Sequence, residues 1–257
     1  CQRKKQSNLI TGDNTMPEVS FGYETVTREE KTEKVDQVFH SVSNVYDSMN
    51  DAMSLGIHRL WKEQATASLD LYQNDIVADL SCGTGDLSCL IIDRIQYGQL
   101  HCIDPNGSML DICKQRLSQK NNVSFHQQYA ESLQFSQVFD KVALSFGLRN
   151  FSDETKSLTN IYQSLKIGGK LVIIEFNPSS ASSFDKQYGM YLKYVIPCLG
   201  KLVGKDESSY QYLAESIQQQ PSPKQRITQM KSHGFEFIKY TPLTMGVVGL
   251  FEGYRCQ

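Results

Sequence analysis

At 257 residues, with 40% hydrophobic and 21% charged side chains, the chain has the material for one α/β domain with a full apolar core. Basic and acidic residues nearly cancel, 26 against 28, so no global field gathers nucleic acid or an anionic surface around it, and any such partner must be recognised locally. No apolar run reaches the roughly 18 residues a spanning helix needs; the most apolar long stretch, 191–203, is interrupted by Lys193, Pro197 and Lys201.

Residues 1–16 are polar, with Arg3, Lys4 and Lys5 and no apolar h-region, and 1–20 read as a disordered tail with Met16 nearer the natural start. A single domain is expected over 21–257, beginning with a helical extension at 21–70. There, Val35, Val38, Phe39, Val42, Val45 and Tyr46 recur at helical spacing within 28–61, behind a capping-box pattern of Thr27 and Glu30. Strand-like runs at 75–80, 99–104, 123–127, 141–146 and 170–176 then alternate with helical patterns, which argues for a parallel sheet wrapped by helices. A helix starting near Asp153 is expected to close with Lys166 to Gly169 as basic last turn and Gly-Gly stop. The alternation lapses at 178–223, where two helices, near 184–200 and 208–218, read as a cap over the active site. A helix at 223–233, a stop at Gly234 and strands at 235–240 and 247–255 complete the chain, the two strands close enough in sequence to pair antiparallel.

The seven cysteines, Cys1, Cys82, Cys89, Cys102, Cys113, Cys198 and Cys256, contain no C-x-x-C pair and mostly lie in apolar stretches. They read as reduced, small core residues of a cytosolic protein, and no metal cluster is expected among them.

The strongest motif is Asp79-Leu-Ser-Cys-Gly83-Thr84-Gly85-Asp86, after an apolar strand and before a helical stretch. Glycines there let the backbone approach a nucleoside closely, and Asp104, ending the next strand, is placed to accept hydrogen bonds from both hydroxyls of an adenosine ribose. A dinucleotide site would want a third glycine where Ser88 stands. S-adenosylmethionine has no pyrophosphate to house, so D-x-x-x-G-x-G suits it better, with Asp79, Gly83, Thr84 and Gly85 as turn residues.

With these residues in view, the sequence resembles the UbiE-type C-methyltransferases of ubiquinone and menaquinone biosynthesis. The matching segments include Tyr46-Asp-Ser-Met-Asn-Asp51, Ser54-Leu-Gly-Ile-His-Arg-Leu-Trp-Lys62, Gly83-Thr-Gly-Asp86, Ser145-Phe-Gly-Leu-Arg-Asn150 and Ser209-Tyr-Gln-Tyr-Leu-Ala-Glu-Ser216. The resemblance implies a class I S-adenosylmethionine-dependent methyltransferase: a Rossmann-like, mainly parallel seven-stranded sheet with an antiparallel last strand, the N-terminal helical extension and the inserted helical cap. It implies donor contacts at Thr84, Asp104, the Tyr129-Ala130 pair and Ser145. Tyr129 stands where the family usually has Asn or Asp, so stacking replaces a hydrogen bond in that expectation.

The implied acceptor is a polyprenyl quinol, either demethylmenaquinol or a 2-methoxy-6-polyprenyl-1,4-benzoquinol, methylated on ring carbon without a metal. Arg149, beyond the fourth strand, is expected to stabilise the developing phenolate rather than act as base. Asn150 is expected to hydrogen-bond a quinol oxygen, and Tyr46, Asp47, Asn50 and His58 to fold over the two ligands, with Tyr46, Asn50 and His58 as catalytic candidates. Tyr188, Tyr191, Leu192, Val195, Ile196, Leu199 and Leu202 offer an apolar lining for the tail, or else ordinary core or a dimer interface. A cytoplasmic protein visiting the inner membrane peripherally is expected, with a homodimer or a quinone-biosynthesis complex left open. A methyltransferase of another acceptor and a noncatalytic donor-binding scaffold remain as alternatives.

Overall fold

Thr27 ends a hairpin and starts a helix with the same side chain. In the computed structural model, which describes residues 17–181, 184–199 and 207–257, β1 (Glu18–Phe21) pairs antiparallel with β2 (Glu24–Thr27). The Thr27 hydroxyl accepts from the Glu30 amide while the Glu30 carboxylate accepts from the Thr27 amide at 2.8 Å, opening α1 (Arg28–Val42). Residues 18–20, expected as tail, are therefore strand; Phe21 stacks on Tyr212 with ring centroids 4.2 Å apart, which pins the hairpin to the cap. The rest of the expected tail lies outside the described residues.

The helical stretch expected over 28–61 is cut twice. A 3₁₀ turn at Ser43–Val45 separates α1 from α2 (Tyr46–Ser54), and left-handed Leu55 followed by Gly56 separates α2 from α3 (His58–Ser68). Three short helices can wrap across the sheet edge, whereas one long rod would project past it.

The sheet has the order β5-β4-β3-β6-β7-β9-β8. Its strands are β3 (Ile76–Leu80), β4 (Gln99–Ile103), β5 (Val123–His126), β6 (Phe139–Ser145), β7 (Leu165–Phe176), β8 (Phe235–Leu243) and β9 (Val248–Arg255). β3 to β7 are parallel, and β9 runs antiparallel to both β7 and β8. Helices α4 (Asp86–Ile92) and α5 (Gly107–Arg116) belong to one half, and α6 (Glu154–Ser164) and α10 (Pro223–Ser232) to the other. One apolar cluster, including Trp61, Leu87 and Ile91, packs on the first face, and a second, including Leu158, Ile161 and Met230, on the opposite face.

The helix expected to end in Lys166 to Gly169 stops at Ser164 instead. Leu165 is fully buried opposite Phe139, and the Lys166 ammonium bonds the Asp140 carboxylate at 2.8 Å. Gly168, at φ +83, accommodates the irregular stretch before regular pairing resumes at Lys170.

The cap comprises α7 (Asp185–Met190), a π-helical stretch Tyr191–Val195, α8 (Ile196–Leu199) and α9 (Glu207–Gln218). It joins α1 and α2 in a third apolar cluster built on Val42, Met49, Tyr188, Leu192 and Tyr210. Leu202 and the Leu199 side chain lie outside what is described.

Candidate active site

The turn after β3 puts Ser81, Gly83 and Gly85 at φ of +54, +55 and +88, a backbone path that favours glycine at the latter two positions. Asp104, just past β4, closes over this turn: one carboxylate oxygen accepts from the Gly83 amide at 2.8 Å and the other from the Asn106 amide at 2.9 Å. Burial pushes the Asp104 carboxyl up to about 6 against the opposing pull of those amides. Each oxygen retains a lone pair for a ribose hydroxyl.

A cavity of about 720 Å³ runs past this acid, lined by Gly83, Asp104, Tyr129, Ala130 and Ser145, with Asp36, Phe39 and Tyr46 descending from the N-terminal helices. A narrower recess of about 330 Å³ continues from it, lined by Asp79, Gly83, Thr84, Asp86, Lys62, Tyr46 and Ser145. Seven of the eight expected donor residues thus face one continuous groove. Gly85 does not line it and instead shapes the turn. The Ser145 hydroxyl is buried without a hydrogen-bond partner, as a group reserved for a ligand would be. Asp79 lies beneath the turn, accepting from Ser88 at 2.5 Å, its carboxyl raised to about 7 by burial. Thr84 donates to Asp47 at 2.9 Å, and Arg116 pairs with both Asp47 and Asp86, fastening α2 to the turn. Asp36, Lys62 and Arg116 were not legible as site residues, because no local motif announces a helix that arrives from elsewhere in the chain.

Phe39, Tyr46 and Phe146 also line a second chamber of about 900 Å³, walled by Val42, Met49, Met53, Phe176, Leu192, Ile196 and Leu213. Tyr188 and Tyr191 line it as well, whereas Val195, expected there, is 42% exposed. Arg149 enters buried: its guanidinium donates to Glu175 at 2.8 Å and to the Phe146 carbonyl at 2.5 Å, and lies 5.7 Å from the Phe176 ring centroid. His58 is also buried, with Nε2 2.8 Å from an Asp51 carboxylate oxygen. Asn50 lines this chamber, but Asn150 does not. Asn150 lines the first cavity, and its side-chain carbonyl accepts from Tyr212 at 3.0 Å. Three polar atoms of the lining residues have no partner: Arg149 Nε, His58 Nδ1 and Tyr188 Oη.

A mostly parallel seven-stranded sheet with an antiparallel β9, a glycine turn after its first central strand and an acid after the second define a class I S-adenosylmethionine-dependent methyltransferase. A Thermotoga maritima SAM-dependent methyltransferase shares this fold, with a TM-score of 0.59 at 17% identity, covering 85% of this chain and 99% of that one. The [4+2]-cyclase SpnF does so too, at 0.61 and 12% over 86% and 96%, so the fold alone does not specify a reaction. The ubiE/COQ5 methyltransferase family model matches residues 25–255, and the chain belongs to that family. The "Ubiquinone/menaquinone biosynthesis C-methyltransferase UbiE" of Escherichia coli O1:K1 / APEC is 40% identical over 248 residues, 95% of this chain and 99% of the relative. Its Francisella tularensis counterpart is 41% identical over 240 residues, 91% and 96% of the two chains.

Proposed function

We propose that the chain transfers the methyl group of S-adenosylmethionine to a ring carbon of a polyprenylated quinol, demethylmenaquinol or a 2-methoxy-6-polyprenyl-1,4-benzoquinol. The observation that carries this reading is the second chamber, whose lining is apolar except for a few polar groups that include the three unpaired atoms. A quinol head offers oxygens to such atoms and an isoprenoid tail to the remaining wall. The relatives in E. coli and F. tularensis are named as C-methyltransferases of ubiquinone and menaquinone biosynthesis, which supports an acceptor of this kind.

When bound, S-adenosylmethionine supplies an electrophilic methyl carbon. Phe39, Tyr46 and Phe146 form the wall common to both cavities, so they set the line along which the ring carbon approaches. The ring carbon attacks well only when the quinol is a phenolate, so a proton must leave the quinol oxygen first, and the proton on the methylated ring carbon must leave afterwards to restore the aromatic ring. Among the described residues no Asp or Glu lines the chamber, the Lys62 ammonium is engaged by Asp86 at 2.8 Å, and arginine is no base. His58 takes that role: Asp51 holds Nε2–H, leaving Nδ1 as acceptor, and burial keeps the imidazole neutral by lowering its pKa. Arg149, oriented by Glu175, stabilises the developing phenolate.

A quinol with this tail stays in the bilayer, so the protein works at the inner-membrane surface on its cytoplasmic side. Leu55 between α2 and α3, Leu60 on α3, and Met190 and Tyr194 on the cap, each at least 60% exposed, supply the apolar contact. The Tyr191 hydroxyl bonds the Met53 carbonyl, joining these segments.

The test is transfer of labelled methyl from S-adenosylmethionine to each reduced quinol by the purified chain. Label on ring carbon is expected; no label with either quinol, in protein that binds S-adenosylhomocysteine, refutes the acceptor.

A further inference from the structure

Three thiols meet beneath the glycine turn. Cys82 is part of the turn, Cys102 lies in β4 two residues before Asp104, and Cys113 is on α5. All three are buried, and their sulfur atoms lie within 4.8 Å of one another. The methyl-transfer mechanism uses none of them.

We propose that Cys82, Cys102 and Cys113 form a binding site for one soft monovalent cation, Cu(I), held by three sulfurs, and that its occupancy weakens donor binding. A metal–sulfur bond of about 2.3 Å in a trigonal plane sets the sulfurs roughly 4 Å apart, inside the observed limit. Thiolate softness selects Cu(I). Among the described residues no fourth cysteine, imidazole or carboxylate joins the group, so it lacks the four protein ligands of a closed structural zinc site. Entry is through the donor recess, which Cys82 lines beside Thr84 and Lys62. Each ligating thiol that is still protonated gives its proton to solvent, so uptake strengthens as pH rises.

Coupling to the donor follows from close packing. A Cβ built on Gly85 would lie 2.7 Å from the Cys113 sulfur, so α5 already presses on the turn. An ion that draws the three sulfurs to its own bond length shifts Cys82 and Cys113, and with them Gly83, Gly85 and the Asp104 bond that closes the donor site.

The experiment titrates reduced protein, without oxygen, into Cu(I)–bicinchoninate and follows loss of its colour. One equivalent withdrawn per chain is expected, with affinity for S-adenosylhomocysteine falling at least tenfold by calorimetry. Cys102→Ala and Cys113→Ala, checked for folding by circular dichroism, lose the uptake, with Cys102→Ser and Cys113→Ser in reserve should either alanine variant unfold. Cys198→Ser, at an exposed thiol on the cap, keeps it. A wild type that leaves the colour intact, or folded variants at 102 and 113 that still withdraw one equivalent, removes the site; unchanged donor affinity in loaded protein removes the coupling.

Discussion

Ser145 shows how a single side chain reports a ligand. Leaving a buried hydroxyl unpaired costs about 1–3 kcal/mol, yet Ser145 sits unpaired where the donor cavity meets its recess. Ser145→Ala therefore keeps or slightly raises the melting temperature while weakening S-adenosylhomocysteine about tenfold, about 1.4 kcal/mol; a melt combined with calorimetry separates the two effects. For His58, the groups facing it are Asp51, Lys62 and Asp86, with Arg59 beside Asp51. Burial lowers its pKa, so the neutral base persists below the ordinary histidine range and turnover falls only when pH drops past that lowered value. His58→Gln is expected to retain donor binding, lose on the order of a hundredfold in kcat and flatten the acid limb; an acid limb identical to wild type would exclude the assignment. The sequence made Gly83 and Asp104 legible because their chemistry is local to one strand-turn-strand unit. The Asp51–His58 pairing is seven residues long and still invisible there, since two helices and a left-handed Leu55 bring the groups together.

At the scale of elements, β4 and β5 carry a pH-dependent contact. His101 Nδ1 and His126 Nε2 are 3.0 Å apart, with the His101 ring edge-on to Phe135 and Phe139. Burial, then His126, lowers His101 from 6.5 to about 4, and burial lowers His126 as well. The folded state thus binds fewer protons than the unfolded chain: this contribution is fully present above pH 6.5 and is lost as pH falls from 6.5 through about 4. The expected outcome is a melting temperature that drops more steeply over that window in wild type than in His101→Phe, measured by calorimetric scans; parallel curves would refute it. The misread end of α6 belongs to this scale too. A basic, glycine-rich sequence suits a helix stop as well as an edge of irregular strand, and burial of Leu165 against Phe139 decides for the strand.

For the whole molecule, α1, α2, α3 and the cap enclose one side of an otherwise ordinary sheet and convert an open groove into two adjoining cavities. Exposed Leu55 and Leu60 leave an apolar rim there, at 86% and 65% accessibility. Replacing both with Glu is expected to reduce co-flotation with quinone-containing vesicles at least tenfold while donor affinity holds, because desolvating two carboxylates opposes insertion; unchanged flotation would place the contact elsewhere. The fold class, the donor and the family were legible from sequence alone, since alternating strands and helices, a glycine turn and its acid all express short-range geometry. Tertiary structure alone decided that Arg149 is braced by Glu175, that Asn150 turns to Tyr212, that His58 lines the second chamber and that three distant cysteines converge. Each of those contacts depends on how separately formed elements dock, and docking is governed by long-range burial that no local pattern encodes.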